Sequence, residues 1–258
     1  MNRAHNARQA GECIRRAQEQ GFENMSIDLI YGGPTLPDAN WQRNVEDAIA
    51  LGIPHLSCYA LTVEPKTALD GMIRRGRSAD VNPDDQARQF LLLMDWLGKA
   101  GYEHYEISNF AQPGKRSRHN SSYWQGKPYL GLGPSAHSFN GVSRQWNVAN
   151  NAKYIAALGG EGGEVALVEG GSGFVAEREE LTAMQQLNEY IMISLRTAEG
   201  SNLSTVAKRF GAQQAQELWR RAERYMSEGK IKSSPETLAL TQEGKLLADG
   251  IAADLFFD

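Results

Sequence analysis

Apolar residues recur at helical spacing and then bunch into a short run, three times over, along the first 110 residues. Ala10, Cys13, Ile14 and Ala17 mark one face of a first helix. Its start carries a capping-box pattern, Asn6 with Gln9, and Gly21 stops it. The run Ile27–Tyr31 reads as a strand ended by the loop Gly32-Gly33-Pro34. A second helix carries Trp41, Val45, Ala48 and Ile49 on one face, ends at Gly52, and leads into a strand from His55 to Leu61. The third helix has Asn82 as its N-cap, Pro83 at the first helical position, and Asp84 and Asp85 at the positive end of the dipole. Ala87, Phe90, Leu91, Met94 and Leu97 form its stripe, Gly101 closes it, and a strand from Tyr102 to Phe110 follows. Strands alternating with amphipathic helices predict right-handed crossovers and a parallel sheet, hence an α/β fold.

The strands are not the continuous apolar runs of a sheet covered on both faces. His104, Glu106 and Ser108 alternate with Tyr105, Ile107 and Asn109, and Asp28 interrupts its own strand. A sheet curved around a solvated or ligand-filled cavity accounts for inward polar residues, so a barrel-like sheet is preferred over a flat one. An edge strand with one wet face is the alternative.

Residues 158 to 173 are rich in glycine and read as a linker, which divides the chain into domains 1–173 and 174–258. Beyond the linker, a helix from about Glu179 to Arg196 is followed by helices near Leu203–Phe210 and from about Gln213 to Glu228. Two short strands flank Ser234-Pro235-Glu236, and a last helix carries Leu246, Leu247 and Ile251. This order resembles a small winged helix. Residues 203–232 hold seven basic and three acidic residues, but residues 176–258 hold ten and thirteen, a net charge of −3. Phosphate contact needs a basic surface, so a packing or protein-contact module is preferred and no nucleic-acid partner is expected.

The whole chain, 258 residues with net charge −4, argues against a generally basic binding surface in the same way. No run of eighteen apolar residues occurs, which predicts no membrane-spanning helix and leaves at most peripheral membrane contact. The N-terminal stretch has no apolar core of a secretory signal, and a cytoplasmic location follows by default. Two cysteines, Cys13 and Cys58, lie far apart, too few for a structural zinc site or for an iron–sulfur cluster. Cys13 on a helix stripe and Cys58 in an apolar strand are both expected in the core.

Four stretches carry candidate chemistry: Arg3-Ala4-His5-Asn6; Ile27 to Gly32; Tyr105-Glu106-Ile107-Ser108-Asn109-Phe110-Ala111 with His119-Asn120-Ser121-Ser122-Tyr123-Trp124; and Leu130-Gly131-Leu132-Gly133-Pro134-Ser135-Ala136-His137-Ser138. The last fits G-x-G-x-x-A, but no acidic residue stands at the offset a dinucleotide site requires, and that reading is rejected. Singly, each stretch has a structural explanation. Asp28 could pair with an arginine, His119 and Asn120 could sit in a turn, and Tyr123 and Trp124 could be core.

Together and in this order, the stretches resemble the HemW-type heme chaperones, radical-SAM relatives of oxygen-independent coproporphyrinogen oxidase. YEISNFA, the H-N-x-x-Y-W pattern at His119 to Trp124, and the C-terminal LTQEGKLLADGIAADLFF carry the likeness. H-N-x-x-Y-W points to the chaperone rather than the oxidase, which stands as the alternative reading. The resemblance implies the C-terminal half of a curved partial barrel joined to a small C-terminal domain. It implies that Arg3 and Asp28 contact S-adenosylmethionine (SAM), with Thr62, Ala136 and His137 lining the nucleoside pocket. A carboxylate accepts from ribose hydroxyls and an arginine pairs with a carboxylate, so the residue types suit those roles. His119 becomes the candidate heme-iron ligand, with Asn120 in the same motif and Tyr123 and Trp124 offering flat surface to a porphyrin. The other reading of the motif is a brace at the barrel mouth. The family's C-x-x-x-C-x-x-C, which holds a 4Fe–4S cluster, is not in this sequence. The chain is therefore expected to be a fragment or a short form that cleaves no SAM, and its partners are expected to be heme or porphyrin and heme-accepting proteins.

Overall fold

The computed structural model describes residues 5–158, 167–168 and 171–258. The chain divides into two compact units. One takes in the chain up to Arg118 together with Thr241–Leu247; the other comprises His119–Leu240 and Ala248–Asp258.

In the first unit the order is α1 (Ala7–Glu19), β1 (Ser26–Tyr31), α2 (Asp38–Ala50), β2 (His55–Ala60), α3 (Ala68–Arg74), α4 (Pro83–Lys99), β3 (Glu103–Glu106) and β4 (Asn109–Ala111). Local capping sets the helix starts. Asn6 and Gln9 form the reciprocal capping box of α1, and Asn82 accepts from the backbone N–H groups of Asp84 and Asp85 at α4. The sheet order is β1-β2-β4-β3, with β1 parallel to β2. Trp41, Val45 and Ala48 of α2 and Phe90, Leu93, Met94 and Leu97 of α4 form a core with Leu56, Cys58 and Phe110 of the sheet.

The sheet departs from the sequence expectation in one respect. The segment Tyr102–Phe110 is not one strand but two, and β4 runs antiparallel to both β2 and β3. The Glu106 carboxylate accepts from the Ser108 N–H at 3.0 Å and from the side-chain amide of Asn109, which closes the turn between them. The Cys58 N–H donates to the Ser108 carbonyl at 2.7 Å and fixes that turn against β2. Polar residues close together in sequence thus supply the turn's hydrogen bonds.

Cys58 is buried, as expected, but Cys13 is exposed. The stripe of α1 is only half covered: no residue of α1 is fully buried, Ile14 packs partly exposed against the core, and Cys13 and Ile14 line a groove of about 880 Å³ bounded by α1, β1 and α2. β1 is the edge of its sheet, which leaves that stripe with little to pack on.

The second unit begins with α5 (Arg118–Trp124), whose first residue closes the preceding unit, then β5 (His137–Phe139), β6 (Ser143–Asn147) and α6 (Asn151–Leu158). Most of the glycine-rich stretch read as a linker lies outside the described residues; within it β7 (Leu167–Val168) pairs with β8 (Gly171–Ser172). Next come β9 (Val175–Glu180), α7 (Ala183–Leu195), β10 (Ser201–Asn202), α8 (Leu203–Phe210), α9 (Ala212–Ser227), β11 (Ile231–Ser234) and β12 (Thr237–Leu240). The long helix starts later than the periodicity predicts. Thr182 and Gln185 form its capping box, while Glu179 and Glu180 finish β9, which pairs with β6. The predicted closing helix is two short ones, α10 (Gln242–Lys245) in the first unit and α11 (Ala248–Asp254) in the second. Leu187, Ile191 and Leu195 of α7 are buried, as are Val206, Leu218, Leu238 and Ile251, each on a different element of this unit.

Candidate functional site

Asp28 lies in the middle of β1, exposed, and its register partner is Ser57 of β2. Ser57 in turn pairs with Asn109 of β4. Side chains alternate along a strand, so Asp28, Ser57 and Asn109 fall on the sheet face opposite Ile27, Leu29, Leu56 and Phe110. That second face is polar, as the strand pattern required. At its end the Ser26 hydroxyl lies 2.7 Å from His55 Nδ1, and His55 Nε2 lies 2.7 Å from the Tyr105 hydroxyl. Burial lowers the pKa of His55 and raises that of the Tyr105 phenol to about 12, so the network is neutral near pH 7.

Thr62 is exposed, beyond the end of β2. It stands five positions past Ser57 (57 to 62), roughly 15 Å along an extended chain. The register therefore does not set Thr62 beside Asp28. Arg3 lies outside the described residues.

Ala136 and His137 follow a glycine loop in the second unit. The Asn147 side-chain amide donates to the carbonyls of Gly131 and Gly133, at 3.2 and 2.8 Å, and the Asn147 N–H donates to the Ala136 carbonyl at 2.9 Å. A Cβ on Gly131 would lie 2.2 Å from the His137 carbonyl oxygen, so only glycine fits there. His137 is exposed and stacks on Trp146 at 5.6 Å.

The His119–Trp124 motif forms α5, and its four named residues pair up one turn apart: His119 with Tyr123, Asn120 with Trp124. The rings of His119 and Tyr123 meet edge to face at 5.0 Å, and Tyr123 meets Tyr129 in the same way at 4.8 Å. His119 is exposed, and among the described residues neither of its ring nitrogens is hydrogen-bonded. Trp124 lies under the Arg196 guanidinium, and among the described residues its buried indole N–H has no acceptor. Tyr123 and Trp124 line a cavity of about 500 Å³ shared with Tyr129, Phe139, Arg144, Glu189, Tyr190 and Arg209. That is within the size range of small-molecule sites. The sequence reading missed Tyr129, Arg144, Glu189, Tyr190 and Arg209. They come from distant positions, and no local pattern joins them to the motif.

Cys58 is enclosed in the core, where burial raises its thiol pKa, and Cys13 is on the exposed α1. These two thiols do not fit a 4Fe–4S cluster, and among the described residues no three or more histidine, cysteine and carboxylate side chains gather as a metal site. The local basic excess on α9 is paired. Arg220 and Arg221 both contact Glu217, and Arg224 and Lys230 contact Glu228. Among the described residues no helix is long and apolar enough to cross a membrane.

Residues 181–247 match the HemN C-terminal domain family. Over 255 residues, 99% of this chain, the sequence is 35% identical to the heme chaperone HemW of Mycobacterium tuberculosis, covering 61% of that protein. It is 30% identical to the heme chaperone HemW of Bacillus subtilis over 97% of this chain and 64% of that one. The chain thus spans about three fifths of the length of these relatives. The fold is similar to that of coproporphyrinogen III oxidase (HemN) from Escherichia coli, described as a radical SAM enzyme, with a TM-score of 0.75 over 99% of this chain and 60% of that structure at 19% identity.

Proposed function

We propose, from the premise that this chain is a homologue of the HemW heme chaperones, that it binds heme through α5 and passes it to heme-accepting proteins. The observation that carries the proposal is the state of His119. Its imidazole is exposed, among the described residues neither ring nitrogen is hydrogen-bonded, and Tyr123 one turn on leads into an aromatic cavity. An exposed imidazole of that kind is a ready ligand for heme iron. His55 and His104 are unsuited, because both nitrogens of each already face partners within hydrogen-bond distance. Tyr123 and Trp124 supply ring surface, and Asn120 sits beside them on the helix.

In the same reading, Asp28 of the first unit is a residue that faces SAM. Asp28 presents a carboxylate on the polar sheet face, suited to ribose hydroxyls. Arg3, Thr62, Ala136 and His137 belong to that assignment by resemblance. No radical step is derived for this chain.

Titration of heme with the purified chain, read by absorbance, tests the proposal. The expected result is a shifted Soret band with the wild-type chain and a loss of that shift in His119→Ala. An unchanged band on adding wild-type protein would overturn heme binding. A shift that survives His119→Ala would remove the ligand assignment alone.

A further inference from the structure

Arg209 sits at the wall of the aromatic cavity, on the last turn of α8. Its guanidinium lies 5.7 Å from the Tyr190 ring centre and 4.9 Å from that of Phe210. Among the described residues it has no carboxylate partner. The other cavity arginine, Arg144, is paired with Glu189 at 2.8 Å. The three charges leave one positive charge uncompensated, and it belongs to Arg209. Aromatic contact occupies the face of a guanidinium and leaves its N–H edge open, the edge that grips a carboxylate with two parallel hydrogen bonds.

Around that charge the cavity presents aromatic surface, its rings set edge to face or tilted to one another. Tyr123, Tyr129 and Phe139 follow one another with ring centres 4.8 and 6.0 Å apart. Tyr123 is 39% exposed although large and aromatic. Among the described residues the buried indole N–H of Trp124 has no acceptor, and a buried donor of this kind calls for a partner. A flat aromatic ring system bearing carboxylates matches all three features. We propose that this cavity seats a porphyrin dicarboxylate, with Arg209 pairing one carboxylate side chain. The proposal rests on the heme reading above and adds the residue that selects for the acid.

A metal-free porphyrin dicarboxylate and its dimethyl ester separate this site from iron ligation, since neither can bind His119 through a metal. The expected result is that R209Q weakens binding of the dicarboxylate by the full chain roughly tenfold, the worth of a charge-assisted hydrogen bond at a partly exposed site. The ester should bind the wild type and R209Q alike, and R209K should keep most of the preference for the acid. Loss of both ligands in R209Q would signal a collapsed cavity; R209K against wild type then decides, and equal preference for acid over ester in the two supports the pairing. Equal binding of the dicarboxylate by wild type and a folded R209Q overturns the role of Arg209 and leaves heme binding standing. Heme binding without any binding of the metal-free porphyrin overturns the cavity as the seat of the ring. Failure of heme and porphyrin alike would overturn both readings.

Discussion

The segments Tyr105–Phe110 and His119–Trp124 are built from the same kinds of residue and behave oppositely. In the first, polar groups close on one another. Glu106 takes hydrogen bonds from Ser108 and Asn109, the Tyr105 hydroxyl lies between His55 and the Ser117 N–H, and His104 just upstream faces the Ile107 carbonyl and Lys245. In the second, among the described residues, the ring nitrogens of His119 and the indole N–H of Trp124 have no hydrogen-bond partner, and the ring of Tyr123 is exposed. Buried polar groups in folded proteins are almost always satisfied. By that rule the first segment is accounted for by the fold, while in the second, among the described residues, the buried indole N–H of Trp124 is the group left over.

The largest effect that separates the two segments is expected at Phe110. Its side chain is 1% exposed and stacks on His104 at 4.1 Å. Phe110→Ala should cost about 3–5 kcal/mol, from lost transfer energy plus the cavity left behind. Chemical denaturation would show this as a large fall in midpoint. A loss below about 1 kcal/mol would mean that the hairpin is not packed as described.

A smaller, pH-dependent effect should arise at His104. Burial between Phe90 and Phe110 and the charge of Lys245 hold its pKa down at about 3, against the ordinary 6.5. As pH falls below about 6.5 the unfolded chain takes up this proton and the folded one does not. The stability from keeping His104 neutral is thus fully present above that pH and is lost steadily down to about pH 3. Denaturation midpoints measured across this window should slope downward with acid, and His104→Gln should flatten the slope. Equal slopes in the two proteins would remove His104 as the cause.

The sequence disclosed what is local. The caps at Asn6 and Asn82, the stripe of α4 and the turn at Ser234-Pro235-Glu236 depend on residues a few positions apart, and the structure has them where the pattern put them. The turn at Ile107–Ser108 was hidden because polar and apolar residues alternate through Tyr102 to Phe110 and read as one strand. Cys13 shows the limit of periodicity: the stripe was real, but spacing alone does not say whether a stripe is covered. The polar sheet face could be anticipated from Asp28, but its membership depends on strand register, which joins residues 28, 57 and 109. The cavity beside α5 was out of reach for the same reason. Tyr123, Arg144, Glu189 and Arg209 meet only through tertiary packing.

The smallest predicted effect is the sharpest test of the contrast between the segments. His119 is exposed, and among the described residues its side chain makes no hydrogen bond or ion pair and one ring contact, edge to face with Tyr123. Removing such a side chain should change stability by no more than about 0.5 kcal/mol, the range of surface substitutions without a partner. His119→Ala should therefore unfold at the same denaturant concentration as the wild type in the absence of ligand. Added heme should then raise the midpoint of the wild type and not that of the variant, because a ligand that binds only the folded chain stabilises it by mass action. A ligand-free loss near that expected at Phe110 would make the motif a structural brace, and the two segments would no longer differ in kind.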